Sequence, residues 1–338
     1  MHIHNNYPLG DLNTFGIRVF AREFARVSSE EDLYPLMDHP AIRHGRHLVL
    51  GGGSNMLFTD DFDGVVIQMA TTGKQVTGEE DGKVFLEVKA GESWDGLVAY
   101  CVDRGWGGLE NLSLIPGQVG ASPIQNIGAY GVELREYFHS LTALDKRSRE
   151  RSTFTAADCR FGYRNSFFKQ EGKDRYIILS VTYRLDTRPV IRTRYGQLAD
   201  ELAKTGNALP TISDVRQAVC RIRRSKLPDP EVLGNAGSFF KNPVVSTNFF
   251  RQLKERHPGV IAYPEGDRMK LAAGWLIEHA GWKGYRQGDA GVHDKQALVL
   301  VNHGKATGKE MLQLASAIRQ SVYEKYNITL QPEVNIIN

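Results

Sequence analysis

A triple glycine directly behind a short apolar run constrains this chain more than any other stretch. His47-Leu48-Val49-Leu50 has the length and character of a strand, and it stops abruptly at Gly51-Gly52-Gly53-Ser54-Asn55. Consecutive glycines let successive backbone N–H groups converge on one point, which makes an anion nest without side-chain obstruction. Ser54 and Asn55 can add neutral donors. The stretch lacks the Gly-Lys-Ser/Thr of a P-loop and the Gly-x-Gly-x-x-Gly of a Rossmann turn. Taken alone, a plain turn is the simpler reading.

A second glycine loop, Ile115-Pro116-Gly117-Gln118-Val119-Gly120-Ala121-Ser122-Pro123-Ile124-Gln125-Asn126-Ile127-Gly128-Ala129-Tyr130-Gly131, is almost free of charge. Surface loops are normally more polar, and long loops inside domains usually carry function. Backbone contacts from such a segment can wrap a large flat cofactor. A third stretch, Gly234-Asn235-Ala236-Gly237-Ser238-Phe239-Phe240-Lys241-Asn242-Pro243, sets one serine among small residues, and its phenylalanines suggest a partly dry pocket. On this segment alone Ser238 reads as a cap before it reads as a catalyst.

Between them, Phe161-Gly162-Tyr163-Arg164-Asn165-Ser166-Phe167-Phe168-Lys169 puts Arg164 among aromatics, where a guanidinium needs an anion. A structural ion pair and a substrate clamp are equal readings of it. Near the end, Ile328, Leu330, Pro332, Val334 and Ile336 alternate with Thr329, Gln331, Glu333 and Asn335, which predicts a half-buried strand with Glu333 on its polar face.

The length of 338 residues suggests two domains, and a composition of 41% hydrophobic and 24% charged residues is that of a soluble globular protein. A net charge of +3 without a basic block disfavours nucleic acid as a partner. Cys101, Cys159 and Cys220 are far apart with no CxxC spacing; Cys101 and Cys220 fall in apolar helical patterns and read as buried free thiols, which fits a reducing compartment. No metal-ligand spacing, signal-peptide core or membrane-span run is apparent, so a cytoplasmic protein is expected.

Local signals predict several elements. Ser28-Ser29-Glu30-Glu31-Asp32 has capping-box spacing ahead of a helix over Leu33, Leu36 and Met37. Ser93 caps a helix with Trp94, Leu97, Val98, Cys101 and Val102 inward, stopped by Gly105. Ser213 caps a helix over 214–225, with the domain boundary just before it, and Thr307 with Glu310 opens a long final helix.

Taken in order, Gly51-Gly52-Gly53-Ser54-Asn55, Ile115-Pro116-Gly117, Asn126-Ile127-Gly128-Ala129-Tyr130-Gly131, Tyr163-Arg164, Gly237-Ser238-Phe239-Phe240-Lys241-Asn242-Pro243 and Pro332-Glu333-Val334 resemble the UDP-N-acetylenolpyruvoylglucosamine reductases over nearly the full length. The resemblance implies an α+β fold. A vanillyl-alcohol-oxidase/PCMH-type FAD-binding domain of two α+β subdomains would span 1–186. A connecting substrate-loop segment would follow at 187–212, then a smaller α+β substrate-binding domain at 213–327 and a returning C-terminal strand at 328–338.

It also implies noncovalent FAD, since Ser54 and Asn55 stand where a tethering histidine would be needed, and NADPH as hydride donor. Gly51, Gly52, Gly53, Ser54, Asn55, Gly117, Gly120, Asn126, Gly128 and Ala129 would hold the cofactor. Tyr195, Lys226 and Asn242 would meet the sugar nucleotide. Arg164 would stabilise an enolate, Glu333 would polarise its carboxylate, and Ser238 would deliver the proton. The expected protein is a monomer serving bacterial peptidoglycan synthesis, with no nucleic-acid or membrane partner. A related FAD-dependent sugar or alcohol oxidase predicts a covalent flavin anchor, and a noncatalytic flavin- or nucleotide-binding module would not need these three residues.

Overall fold

A computed structural model describes residues 2–193, 196–204, 206–207 and 209–338. Two compact units emerge. The first comprises the residues up to Tyr7, Ala21–Gly52 and Asp63–Ser225; the second comprises Pro8–Phe20, Gly53–Phe62 and Lys226–Asn338.

The first unit is built on two sheets. One has the order Ile3–Pro8, Phe20–Val27, Phe62–Met69, His47–Leu50, and its last two strands run parallel. The helices Leu33–Met37 and Pro40–Arg43 connect Phe20–Val27 to His47–Leu50. The link from His47–Leu50 to its parallel partner runs through the triple glycine and the short Met56–Phe58 strand, since parallel strands cannot be joined by a tight hairpin. The other sheet is antiparallel, in the order Arg151–Thr155, Phe138–Asp145, Tyr176–Asp186, Lys83–Lys89, Lys74–Glu80. Trp94–Asp103 packs Trp94, Leu97, Val98 and Cys101 into its core, and Ser93 Oγ accepts from Gly96 N at 3.3 Å as the cap. These two α+β layers match the expected fold class.

The second unit holds an antiparallel sheet of Gly234–Ser238, Val299–Asn302, Ala290–Val292 and Arg286–Gln287. A smaller sheet of Val244–Ser246, Arg268–Leu271 and Ala262–Glu265 lies in the same unit. The long Gly308–Tyr326 helix starts with the predicted capping box: Thr307 Oγ1 accepts from Glu310 N at 3.2 Å, and Glu310 Oε2 accepts from Thr307 N at 2.7 Å.

Four expectations change. The Leu33–Met37 helix forms, but Asp32 reaches backwards and accepts from Ser28 N and Ser29 N at 3.0 and 2.9 Å, so no hydroxyl caps it. The Ile212–Lys226 helix is capped by Thr211, whose Oγ1 accepts from Asp214 N at 3.2 Å, while Ser213 lies inside the first turn. The unit boundary follows this helix rather than preceding residue 213, because its apolar face packs with Leu198 and Leu202 and its Arg216 grips Asp95. The tail keeps its alternating burial, yet only Asn335–Ile337 forms a strand, parallel to Met56–Phe58. Pro332 has no N–H to donate and makes only an isolated bridge with Phe240.

The Arg216–Asp95 pair is bidentate at 2.6 and 3.0 Å, and Asp95 also accepts from Leu114 N. Burial opposes ionisation of Asp95, but the Arg216 and Leu114 hydrogen bonds outweigh it and hold the carboxyl below its ordinary value. Asp95→Asn should therefore cost about 1–3 kcal/mol in urea unfolding at neutral pH. With the folded value below the unfolded one, the contribution is complete above about pH 4 and is lost as pH falls through the depressed value. The gap between wild type and variant should close on acidification.

Candidate active site

The two glycine loops of the first unit meet back to back. A Cβ on Gly52 would sit 3.0 Å from Gly117 Cα, and one on Gly51 would sit 3.2 Å from Gln118 Oε1. The second loop is stitched down by Gly120 N donating to Ala90 O at 2.8 Å and Val119 N donating to Glu92 O at 2.9 Å. A Cβ on Gly120 would fall 2.7 Å from Ala90 Cβ. A side chain at Gly120 would clash outright, and one at Gly51 or Gly52 would push its neighbour back by a few tenths of an ångström.

Gln118 Oε1 is buried and has no hydrogen-bond partner among the described residues. A buried acceptor left alone costs about 1–3 kcal/mol, so a ligand donor belongs there. A flat cofactor with ring donors and acceptors suits such a cradle, and FAD is of that kind.

Farther along the loop, Arg164 donates from Nη2 to Gly128 O at 2.6 Å, and its guanidinium carbon lies 5.5 Å from the Tyr163 ring centre. Its backbone is left-handed, at φ 50°. Asn126 supports that turn. Its Nδ2 donates to Gly162 O and Glu133 Oε2, both at 3.1 Å, and its Oδ1 accepts from Arg135 N at 3.1 Å. The side chain is wholly buried and committed to protein partners, leaving the backbone for a ligand. Ala129 pairs with Val132 and Gly128 with Glu133, in a hairpin beside it.

Sequence reading missed Arg223. It projects from the Ile212–Lys226 helix, donates from Nε to Leu114 O at 3.1 Å and hydrogen-bonds Tyr130, at opposite ends of the second glycine loop. Burial pushes its guanidinium down from its usual value. The available signal was its spacing: Arg216, Val219 and Arg223 follow one helix face, so an arginine recurs within the apolar stripe.

In the second unit, Gly53 carries φ 61°, and a Cβ there would lie 1.9 Å from Leu12 O, so no other residue is tolerated. Ser54 follows it in the same unit, and Asn55 Nδ2 donates to Glu333 O at 3.4 Å. Asn335 N and Nδ2 both donate to Asn55 O, at 3.1 and 2.9 Å, which anchors the tail without a basic side chain.

Ser238 follows a register shift between Asn235 and Ser238 in the Gly234–Ser238 strand, with Gly237 at φ 68°. Asn235 Oδ1 accepts from Gly237 N at 2.9 Å and shapes this bulge, a common device for re-aiming a side chain. Ser238 is exposed. The phenylalanines behind it are not pocket walls, as the sequence suggested, but core anchors: Phe239 and Phe240 are buried, with ring centres 5.0 Å apart. Glu333 N donates to Phe239 O at 2.8 Å, so Glu333 and Ser238 lie on adjoining segments.

Asn242 Oδ1 accepts from Ala273 N at 2.9 Å, at the start of the Ala273–His279 helix, leaving its NH2 as the part a nucleotide can use. Burial lowers the Lys226 ammonium below its usual value. Tyr195 lies outside the described residues. Among the described residues no acidic, histidine or cysteine cluster could hold a metal, and no helix is long and apolar enough to cross a membrane.

Residues 229–337 match the C-terminal domain of UDP-N-acetylenolpyruvoylglucosamine reductase, and residues 21–152 match an FAD binding domain. A UDP-N-acetylenolpyruvoylglucosamine reductase of Chromobacterium violaceum is 51% identical over 327 residues, 96% of each chain. The chain belongs to the UDP-N-acetylenolpyruvoylglucosamine reductase family. A Flavobacterium johnsoniae member is 48% identical over the full length of both chains. The solved Thermus caldophilus reductase superposes with a TM-score of 0.71 at 25% identity, covering 100% of each chain. A solvent-stable cholesterol oxidase, at 12% identity and a TM-score of 0.50, shares the fold over 97% of this chain and 86% of its own.

Two substitutions test the loop geometry of this family member. Gly52→Ala forces the loops apart by a few tenths of an ångström and should weaken FAD about tenfold, read by equilibrium dialysis. Asn126→Ala strips three hydrogen bonds and should lower stability by about 2–3 kcal/mol in urea.

Proposed function

We propose that this chain reduces the enolpyruvyl group of UDP-N-acetylenolpyruvoylglucosamine to UDP-N-acetylmuramate in peptidoglycan precursor synthesis, with NADPH as reductant. The carrying observation is the 51% identity to a named reductase across 96% of both chains. The first unit is the FAD-binding part, and Gly51, Gly52, Gly117, Gly120, Gly128 and Ala129 hold the cofactor by backbone, joined by Gly53, Ser54 and Asn55. When bound, FAD supplies the two-electron hydride chemistry that links nicotinamide to substrate.

The protein's own part is to bind the substrate, hold charge and move one proton. Reduction at the terminal carbon of the enolpyruvyl double bond leaves negative charge on the adjacent carbon and its carboxylate. Arg164 holds that charge; its fixed orientation, from Gly128 O and the Gly162–Asn165 turn, removes the cost of reorganising at that moment. Glu333 helps to polarise the carboxylate. Ser238 gives its hydroxyl proton to the charged carbon; a hydroxyl stays protonated throughout the physiological range.

Lys226, Asn242 and Tyr195 bind the sugar nucleotide, Lys226 as a point charge for phosphate. A cytoplasmic monomer is the accompanying reading, its reducing compartment favoured by three buried free thiols.

Ser238→Ala separates the two half-reactions. Reduction of the bound flavin by NADPH should stay within about twofold of wild type in anaerobic stopped flow, because no proton is delivered to carbon in that step. Reoxidation by the enolpyruvyl sugar nucleotide should slow by at least about 10³-fold. Equal losses in both steps would make Ser238 structural.

A further inference from the structure

Away from the glycine loops, the first unit holds an amine beside an imidazole. His47 opens the His47–Leu50 strand, and Lys146 follows the Phe138–Asp145 strand. Lys146 Nζ contacts His47 Nε2, and His47 Nδ1 lies 3.2 Å from Ala41 O. A carbonyl can only accept, so Nδ1 carries the ring proton and the Nε2 lone pair faces the amine. The acidic groups that Lys146 senses are Asp174 and Asp145, and Asp145 is already gripped by Arg175 Nε and Nη2 at 2.8 and 2.6 Å. Lys146 N donates to Arg175 O at 3.0 Å, which fixes the base of the side chain.

Nucleophile, base and orienting group thus stand in the order that activates a side chain for attack on a carbonyl. We propose that Lys146 is a site of acylation by small acyl phosphates, with His47 as its general base. The amine nitrogen attacks the acyl carbon, the carbon–oxygen bond to phosphate breaks, and phosphate leaves. The nitrogen's proton passes to His47 Nε2 and on to solvent. The product is a neutral amide, and nothing is oxidised or reduced.

The charge states agree with the geometry. Burial lowers the Lys146 ammonium to about 8. Burial and then the neighbouring Lys146 charge lower His47, so its ring is neutral and able to accept. An amine titrating near 8 is about 10% neutral at pH 7, against roughly 0.03% for an ordinary lysine. Lower basicity and half-burial offset much of that advantage, leaving an expected rate excess of about tenfold.

The holoenzyme should be treated with acetyl phosphate near pH 7.5, and acetylation at each lysine followed by mass spectrometry of timed digests. Lys146 should acetylate about tenfold faster than the exposed Lys173, Lys295 and Lys305 in the same sample. His47→Gln, verified as folded by flavin absorbance and circular dichroism, should bring Lys146 down to the rate of those lysines. A Lys146 rate in wild type no greater than theirs overturns the proposal. An undiminished excess in His47→Gln removes His47 as the base.

Discussion

The structure depends on backbone meeting backbone where no side chain can stand. Gly52 abuts Gly117, Gly120 abuts Ala90, and Gly53 turns against the Leu12 carbonyl. The first two contacts fix the glycine loops of the FAD-binding unit; the third fixes the opening turn of the other unit. Such contacts contribute little attraction of their own. They matter because interiors are close-packed, so one added methyl must move main chain rather than a flexible side chain.

From that constraint follows the chemical character of the site. A cradle made of glycines offers amide dipoles and one buried glutamine oxygen instead of formal charges, which suits a large, mostly neutral ring. Formal charge enters at chosen points. Arg164 is held by the Gly128 carbonyl above a turn that Asn126 clamps, and Arg223 bridges the two ends of the same loop. In the other unit, a bulge shaped by Asn235 presents Ser238 while Phe239 and Phe240 lock the strand from behind. Buried residues next to Arg164 and Ser238, in sequence or in space, hold the backbone of each.

What the sequence revealed was local. The strand ending before Gly51, the Ser93 cap and the Thr307 box follow from periodicity or from hydrogen bonds within four residues and are found in the structure; of the tail, the alternating burial is found but the strand is shorter than expected. Where two local signals competed, the nearer acid decided: Thr211 pairs with Asp214 and displaces Ser213 as cap. The site's named glycines were legible because a missing side chain is itself a signal. The contacts of Asn126 with Gly162 O and of Arg223 with Leu114 O were not legible, since these partners lie 36 and 109 residues away. The unit boundary after Ser225 depends likewise on a bidentate contact between Arg216 and Asp95, 121 residues apart. Sequence order carries no distance information of that kind.

The central claim is that this chain passes reducing equivalents from NADPH through bound FAD to an enolpyruvyl sugar nucleotide. Its most direct test is a sealed anaerobic cuvette of wild-type holoenzyme. NADPH should bleach the yellow flavin band, UDP-N-acetylglucosamine should leave it bleached, and UDP-N-acetylenolpyruvoylglucosamine should restore it stoichiometrically. A band that fails to bleach, or that returns only when oxygen is admitted, would contradict the account.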